Sequence, residues 1–330
     1  MKSAIFPFAN EIGVDPSDRD AWLAQRQLGV GGSDAATIMG ANPWKQTYAL
    51  WLEKREGAAS FDNEAMYWGR ALESSIRIGF SDKMGMTVRP LSSSIFVHPD
   101  LPFVRANLDG AIVDNVPQAL VYEGKTSNAP DQWGPTGSDE YPEQYLWQVQ
   151  HYLAVTNAPL AHLAVLLFGR DFRTYQIPRD ETLIDALLNN ETSFWKSVQD
   201  GTPPEVDPDG ADALELIRHR FPRKQATITL PSDALAIALE WEAAKDRENT
   251  EKKRVKQLRA QLEFLMEGHR VAAFDGDEAG RQLIVSESFR TVYEIPDEIK
   301  AKYATKSTDP AIRLDFKTPK EAKAKEAKSK

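Results

Sequence analysis

Apolar residues recur three and four positions apart along residues 64–81, where Leu72, Ile76, Gly79 and Phe80 share one helical face, and this predicts an amphipathic helix. The same spacing returns over 143–155, with Tyr145, Val149 and Tyr152 on one face beside Leu146 and Leu153. Between these two helices, residues 105–125 read as a β-hairpin that turns at Asp114-Asn115-Val116-Pro117-Gln118. Short strands at 86–89 and 94–97 lead into it, and 161–168 with 172–177, joined through Gly169-Arg170-Asp171, form a second hairpin. Further helices are expected at 18–26 around Trp22 and Leu23, at 47–54 with Tyr48 and Trp51 one turn apart, and at 181–198. This order of elements predicts an α/β domain in which a central mixed sheet is flanked by helices.

The clearest break in the pattern is Gly201-Thr202-Pro203-Pro204-Glu205-Val206-Asp207-Pro208-Asp209-Gly210, a run of turn formers. It divides the chain into a domain over 1–200, a linker region over 201–230 and a helical and β-hairpin extension over 231–316. The extension opens with a charged helix over 231–267, on which Val255, Leu258, Leu262 and Leu265 form a stripe. Strands at 271–274 and 281–285 can pair across Asp275-Gly276-Asp277, and 289–293 extends the pattern. The tail over 317–330 is mostly Lys, Ala and Glu and reads as disordered.

Composition narrows the chemistry. The 330 residues carry a net charge of −9, so any nucleic-acid track has to be a local basic surface. With no cysteine, disulfides, thiol nucleophiles, Cys-based zinc sites and Cys-ligated iron–sulfur clusters are excluded. The 5 histidines lack ligand spacing and receive no catalytic or metal role. No segment approaches a membrane span, so a cytoplasmic protein with no membrane partner is expected.

A turn symmetric about Val116 sets position 109 opposite position 123, with Cβ atoms roughly 5 Å apart. Two carboxylates at that distance repel unless a cation lies between them. Because side chains alternate along a strand, Lys125 falls on the same face as Glu123. Asp109, Glu123 and Lys125 thus converge on one point, a trio suited to phosphodiester hydrolysis with Mg²⁺ held by carboxylate oxygens. The order Asp, then Glu-x-Lys, is that of the PD-(D/E)xK nucleases; the plainer reading is an exposed hairpin with a cross-strand Glu–Lys pair. Around this trio several residues have two readings. Glu73 is either a surface partner of Arg77 or a third carboxylate, and Gln148 either faces solvent or hydrogen-bonds inward. Ser33 either caps its helix or, with Arg26, binds an anion at the helix N-terminus. Trp133 either touches substrate or packs its loop down.

Taken together, Gly29-Val30-Gly31-Gly32-Ser33-Asp34-Ala35-Ala36, Trp68-Gly69-Arg70-Ala71-Leu72-Glu73, Leu108-Asp109-Gly110, Glu123-Gly124-Lys125 and Gln148-Val149-Gln150-His151-Tyr152-Leu153 form an ordered series. The series resembles the YqaJ-type viral recombinase family, phage nucleases related to lambda exonuclease, over residues 22–177. The resemblance implies a PD-(D/E)xK core and an exonuclease that digests one strand of duplex DNA from its 5′ end, leaving 3′ single strands for an annealing protein. It also implies that Asp109, Glu123 and the Gly124 carbonyl ligate Mg²⁺, or Mn²⁺ in its place, while Glu73 helps hold a second ion. Lys125 would activate or orient the attacking water, Gln148 would support the metal site, and Arg26 with Ser33 would hold a phosphate. Partners would be duplex DNA ends, a single-strand annealing protein and further copies of the chain, in a bacterial host cytoplasm. In two respects the sequence departs from the family: Asn107-Leu108 replaces a proline often found before the first aspartate, and the chain continues past the core. The ring-shaped trimer of lambda exonuclease is therefore not carried over. A DNA endonuclease on the same core and a non-catalytic DNA-end binding protein remain alternatives.

Overall fold

A computed structural model describes residues 1–15, 18–57, 64–222, 228–273 and 284–286. The chain divides into two units, Met1–Lys224 and Gln225–Lys330. The first begins with β1 (Asn10–Gly13), α1 (Arg19–Gln27), α2 (Gly32–Ile38), α3 (Thr47–Glu56) and α4 (Glu64–Met84). Four strands follow: β2 (Val88–Pro90), β3 (Ser94–Val97), β4 (Arg105–Ala106) and β5 (Gly110–Ile112). Then come β6 (Leu120–Ser127), α5 (Glu143–Thr156), β7 (Leu160–Leu167), β8 (Asp171–Pro178), α6 (Glu181–Asp200) and α7 (Ala213–Arg220).

The central sheet has the order β2-β5-β6-β7-β8. Every neighbouring pair is antiparallel except β6 and β7, which run parallel. Parallel neighbours need a crossover, and α5 lies in the connection between them. The sheet is therefore mixed and helix-flanked, as the sequence pattern predicts. Alternation along β6 divides its side chains between two cores. Val121 joins Val149, Leu153 and Leu163 in the core on the α5 side, whereas Leu120 and Tyr122 join Ile76 and Phe80 of α4 on the other.

Some features depart from the sequence pattern. The segment 94–97 is a strand, but β3 pairs with β1 and β4 in a separate three-stranded sheet rather than leading into the central one. Leu216 of α7 is buried with Tyr48, Trp51, Phe194 and Val198, so part of the stretch read as linker packs on the first unit. Trp133 is buried and stacks on Tyr145, 5.3 Å between ring centroids, which favours packing over substrate contact.

The second unit contains α8 (Ala234–Met266) and the antiparallel pair β9 (Val271–Ala273) and β10 (Ile284–Ser286). The expectations for 289–293 and for the tail over 317–330 lie outside the described residues. Among the described residues no helix is long and apolar enough to cross a membrane.

Candidate active site

The register Gly110↔Tyr122, Ala111↔Val121, Ile112↔Leu120 is symmetric about Val116. Extended by one step it opposes Asp109 to Glu123. Asp109 lies just before β5, and its Oδ2 accepts a hydrogen bond of 2.9 Å from the Gly124 backbone N–H. Glu123 and Lys125 project to the α5 face of β6. There Lys125 Nζ lies 2.5 Å from Glu123 Oε1, and Gln148 Nε2 donates to the same oxygen at 2.8 Å. Gln148 also reaches Tyr152 Oη at 2.7 Å, which fixes its amide. The inward reading of Gln148 is thus the one its geometry adopts.

Burial dominates the electrostatics. The Glu123 carboxyl is pushed up to about 8, by burial and then by the Asp109 charge, against the pull of Lys125. Asp109 is also raised by burial, opposed by Lys125 and by the Gly124 N–H. Glu73 on α4 is pushed up to about 7, by burial first and Asp109 next, with Arg77 and Lys125 opposing. Burial disfavours the Lys125 ammonium, but Glu123 and Asp109 outweigh it and the amine is raised. These are carboxylates held too close together for all to carry charge comfortably. Moreover, Glu123 Oε2 is buried and has no hydrogen-bond partner among the described residues. A hard divalent cation between Asp109 and Glu123 would satisfy that oxygen and relieve the repulsion, so the donor set fits one. Among the described residues no three His, Asp or Glu side chains are drawn together as a ready metal cluster. Asp109 and Glu123 are the pair that would hold such an ion, and Glu73 is coupled to Asp109 through charge.

The glycine-rich segment supplies the other half. The helix starts at Gly32, two residues earlier than a Ser33 cap would require, with Gly31 as N-cap and no side-chain cap bond. Ser33 is therefore not the cap; its Oγ accepts from the Arg26 guanidinium at 3.1 Å. Capping falls to Asp34, whose Oδ2 accepts from the Gly31 N–H at 3.0 Å. A Cβ on Gly32 would lie 2.3 Å from Cε1 of Tyr152, so glycine is what lets α2 approach the tyrosine that orients Gln148. Arg26 lies over the Trp22 ring, 5.0 Å from its centroid.

One cleft of about 210 Å³ unites the two halves: Arg26 and Ser33 line it together with Asp109, Glu123, Lys125 and Gln148. Glu73 does not line it and communicates with Asp109 through charge. Arg105 and Asn107 also line the cleft, and neither was singled out from sequence. Arg105 is held by Gln25 Oε1 at 2.9 Å and by the Pro102 carbonyl. The only sequence signal for the pair was position, two and four residues before Asp109. Three cations, Arg26, Arg105 and Lys125, thus face one cleft, which is the local basic surface that a chain of net charge −9 requires to meet a polyanion.

Residues 21–159 match the model of the YqaJ-like viral recombinase domain. A relative is the uncharacterized protein YqaJ of Bacillus subtilis (strain 168), 37% identical over 210 residues. That match takes in 62% of this chain, and the chain spans 63% of the length of the relative. Among solved structures, the alkaline exonuclease LHK-Exo of Laribacter hongkongensis is similar at 20% identity and a TM-score of 0.46, covering 56% of this chain and 94% of that one. A phage related exonuclease from Haemophilus somnus 129PT is similar at 18% identity and a TM-score of 0.42, covering 52% and 94%. The YqaJ-like segment contains both halves of the cleft, from Trp22 to Tyr152.

Proposed function

We propose that the chain is a divalent-metal-dependent exonuclease that degrades one strand of duplex DNA from its 5′ end and leaves 3′ single strands for an annealing protein. The observation that carries this reading is the single cleft in which Arg26 and Ser33 open beside Asp109, Glu123 and Lys125. Arg26 and the Ser33 hydroxyl bind the terminal 5′ phosphate, the guanidinium supplying a two-pronged donor. Arg105, on the same wall, adds positive charge. Asp109, Glu123 and the Gly124 carbonyl hold Mg²⁺, or Mn²⁺ in its place, and Glu73 helps hold a second ion. A bound divalent ion would polarise the phosphate and acidify a water. Lys125 orients that water and offsets charge developing on the phosphate, while Gln148 fixes the Glu123 carboxylate and leaves Oε2 free to ligate. The nuclease core over 1–200 carries all of these residues, and the extension over 231–316 is a separate part of the protein.

Incubation of linear duplex and closed circular DNA with the full chain tests this reading. Digestion of the linear substrate with Mg²⁺, its complete loss in EDTA and an untouched circle are expected. Cleavage that persists in EDTA, or linearisation of the circle, would contradict it, the latter in favour of an endonuclease.

A further inference from the structure

A second groove, of about 730 Å³, begins where the catalytic cleft ends. Lys125 lines the cleft, and its ammonium lies 5.2 Å from the centroid of the Tyr145 ring, which lines the groove; so does Thr126, the next residue of β6. Two indoles stand in the groove largely exposed, Trp44 at 65% and Trp68 at 54%. The Trp68 indole and the Trp44 backbone are each held by a local hydrogen bond. Trp68 Nε1 donates to Glu64 Oε2 at 3.1 Å, and the Trp44 backbone N–H donates to Asn42 Oδ1 at 2.9 Å. Between them the lining mixes the amides of Asn128, Gln132 and Gln144 with apolar Leu72 and Leu166; its charged side chain is Glu64, held by the Trp68 indole, and it contains no Lys or Arg.

This chemistry is the opposite of the cleft's. Phosphates seek cations, whereas an unpaired base presents a π-face that stacks on an aromatic ring and an edge that hydrogen-bonds to amides. Resting on the exonuclease reading above, we propose that the groove receives the unpaired bases of the strand being cut, on the 3′ side of the scissile phosphate, stacked on Trp68 and Trp44. Continuity decides the occupant. A strand with its 5′ phosphate at Arg26 and its scissile phosphate at Lys125 runs next past Tyr145 and into the groove. An opened duplex end presents unstacked bases at that point.

The test uses the full chain in EDTA, where cleavage is suppressed, and a 5′-phosphorylated duplex with a frayed end carrying 2-aminopurine at its second nucleotide. Binding to the wild type is expected to quench the fluorophore. Trp68→Ala weakens binding by about tenfold and restores the fluorescence, while Trp68→Phe, which keeps a stacking ring, remains near wild type. Both indoles are surface groups, so the substitutions leave the core intact. If the Trp44→Ala/Trp68→Ala double variant binds and quenches like the wild type, yet Mg²⁺ still supports cleavage, the groove proposal is overturned and the exonuclease reading stands. Absence of both binding and cleavage in the wild type would overturn both.

Discussion

Replacing Lys125 by alanine is expected to lower the initial rate of nucleotide release from linear duplex by about 10³-fold or more, with the sheet still folded. Groups that move a proton or stabilise developing charge in a closed site typically supply 10²–10⁴ in rate. Lys125 is the cation nearest the carboxylate pair, 2.5 Å from Glu123 Oε1. The other two cations of the cleft are engaged elsewhere, Arg26 with Ser33 and Asp34 and Arg105 with Gln25 and the Pro102 carbonyl. The fold survives for a specific reason. Loss of the ammonium removes the charge that pulls the Glu123 carboxyl down, and burial with Asp109 already pushes that carboxyl up to about 8. Without the ammonium the Glu123 carboxyl moves further up, which eases the cost of leaving it buried without its partner. A wild-type far-UV circular dichroism spectrum with the loss of rate confirms the assignment, and a rate within tenfold of wild type removes Lys125 from the chemistry.

Asp34→Ala is expected to have the largest effect on stability, a loss of about 3–5 kcal/mol measured by urea unfolding. The Asp34 carboxylate is almost fully buried and meets Lys54 Nζ at 2.7 Å, with Arg26 at 3.4 Å. The Lys54 side chain is itself only 4% exposed. Without Asp34 its ammonium is left buried with the Arg26 carbonyl, 3.1 Å away, as the remaining acceptor. The pH dependence follows from the same contacts. Burial raises the Asp34 carboxyl, but Lys54, Arg26 and the Gly31 N–H together outweigh it and hold it well below the usual carboxylate range. A carboxyl depressed in the folded state contributes stability that is fully present above its unfolded value of about 4 and fades as the pH falls below that. The wild type should lose stability on acidification below about pH 4, and Asp34→Ala should lack that component. A variant as stable as the wild type at pH 7 would mean that Lys54 finds water or another anion.

What was legible in the sequence was local. The turn over 114–118 fixes the register of β5 and β6, and alternation then places Glu123 and Lys125 together without any knowledge of the rest of the fold. The long amphipathic helices were equally plain, because their apolar positions recur within a few turns. What escaped depends on distant pairing. The strand β1 is four residues long and joins β3 more than 80 residues later, so no period in its own sequence announces it. The Ser33 cap failed because Gly31 and Gly32 can begin a helix without a side-chain acceptor, freeing the hydroxyl for Arg26. The pattern over 143–155 shows one apolar face, through Tyr145, Val149 and Tyr152, and His151 lies off it. In fact α5 is buried continuously from Gln148 to Thr156. His151 Nδ1 pairs there with Glu191 of α6 at 2.7 Å, both side chains fully buried. An amphipathic pattern cannot reveal a helix that is covered on several sides.

The order in which strand ends are released tests the proposed arrangement of phosphate pocket and carboxylates most directly. A linear duplex carrying distinguishable labels at its 5′ and 3′ termini would be digested with Mg²⁺ and sampled from the earliest times. With the terminal phosphate at Arg26 and Ser33 beside Asp109 and Glu123, the 5′ label is released first as mononucleotide, and the 3′ label persists on the resulting single strands. Early release of the 3′ label would contradict it.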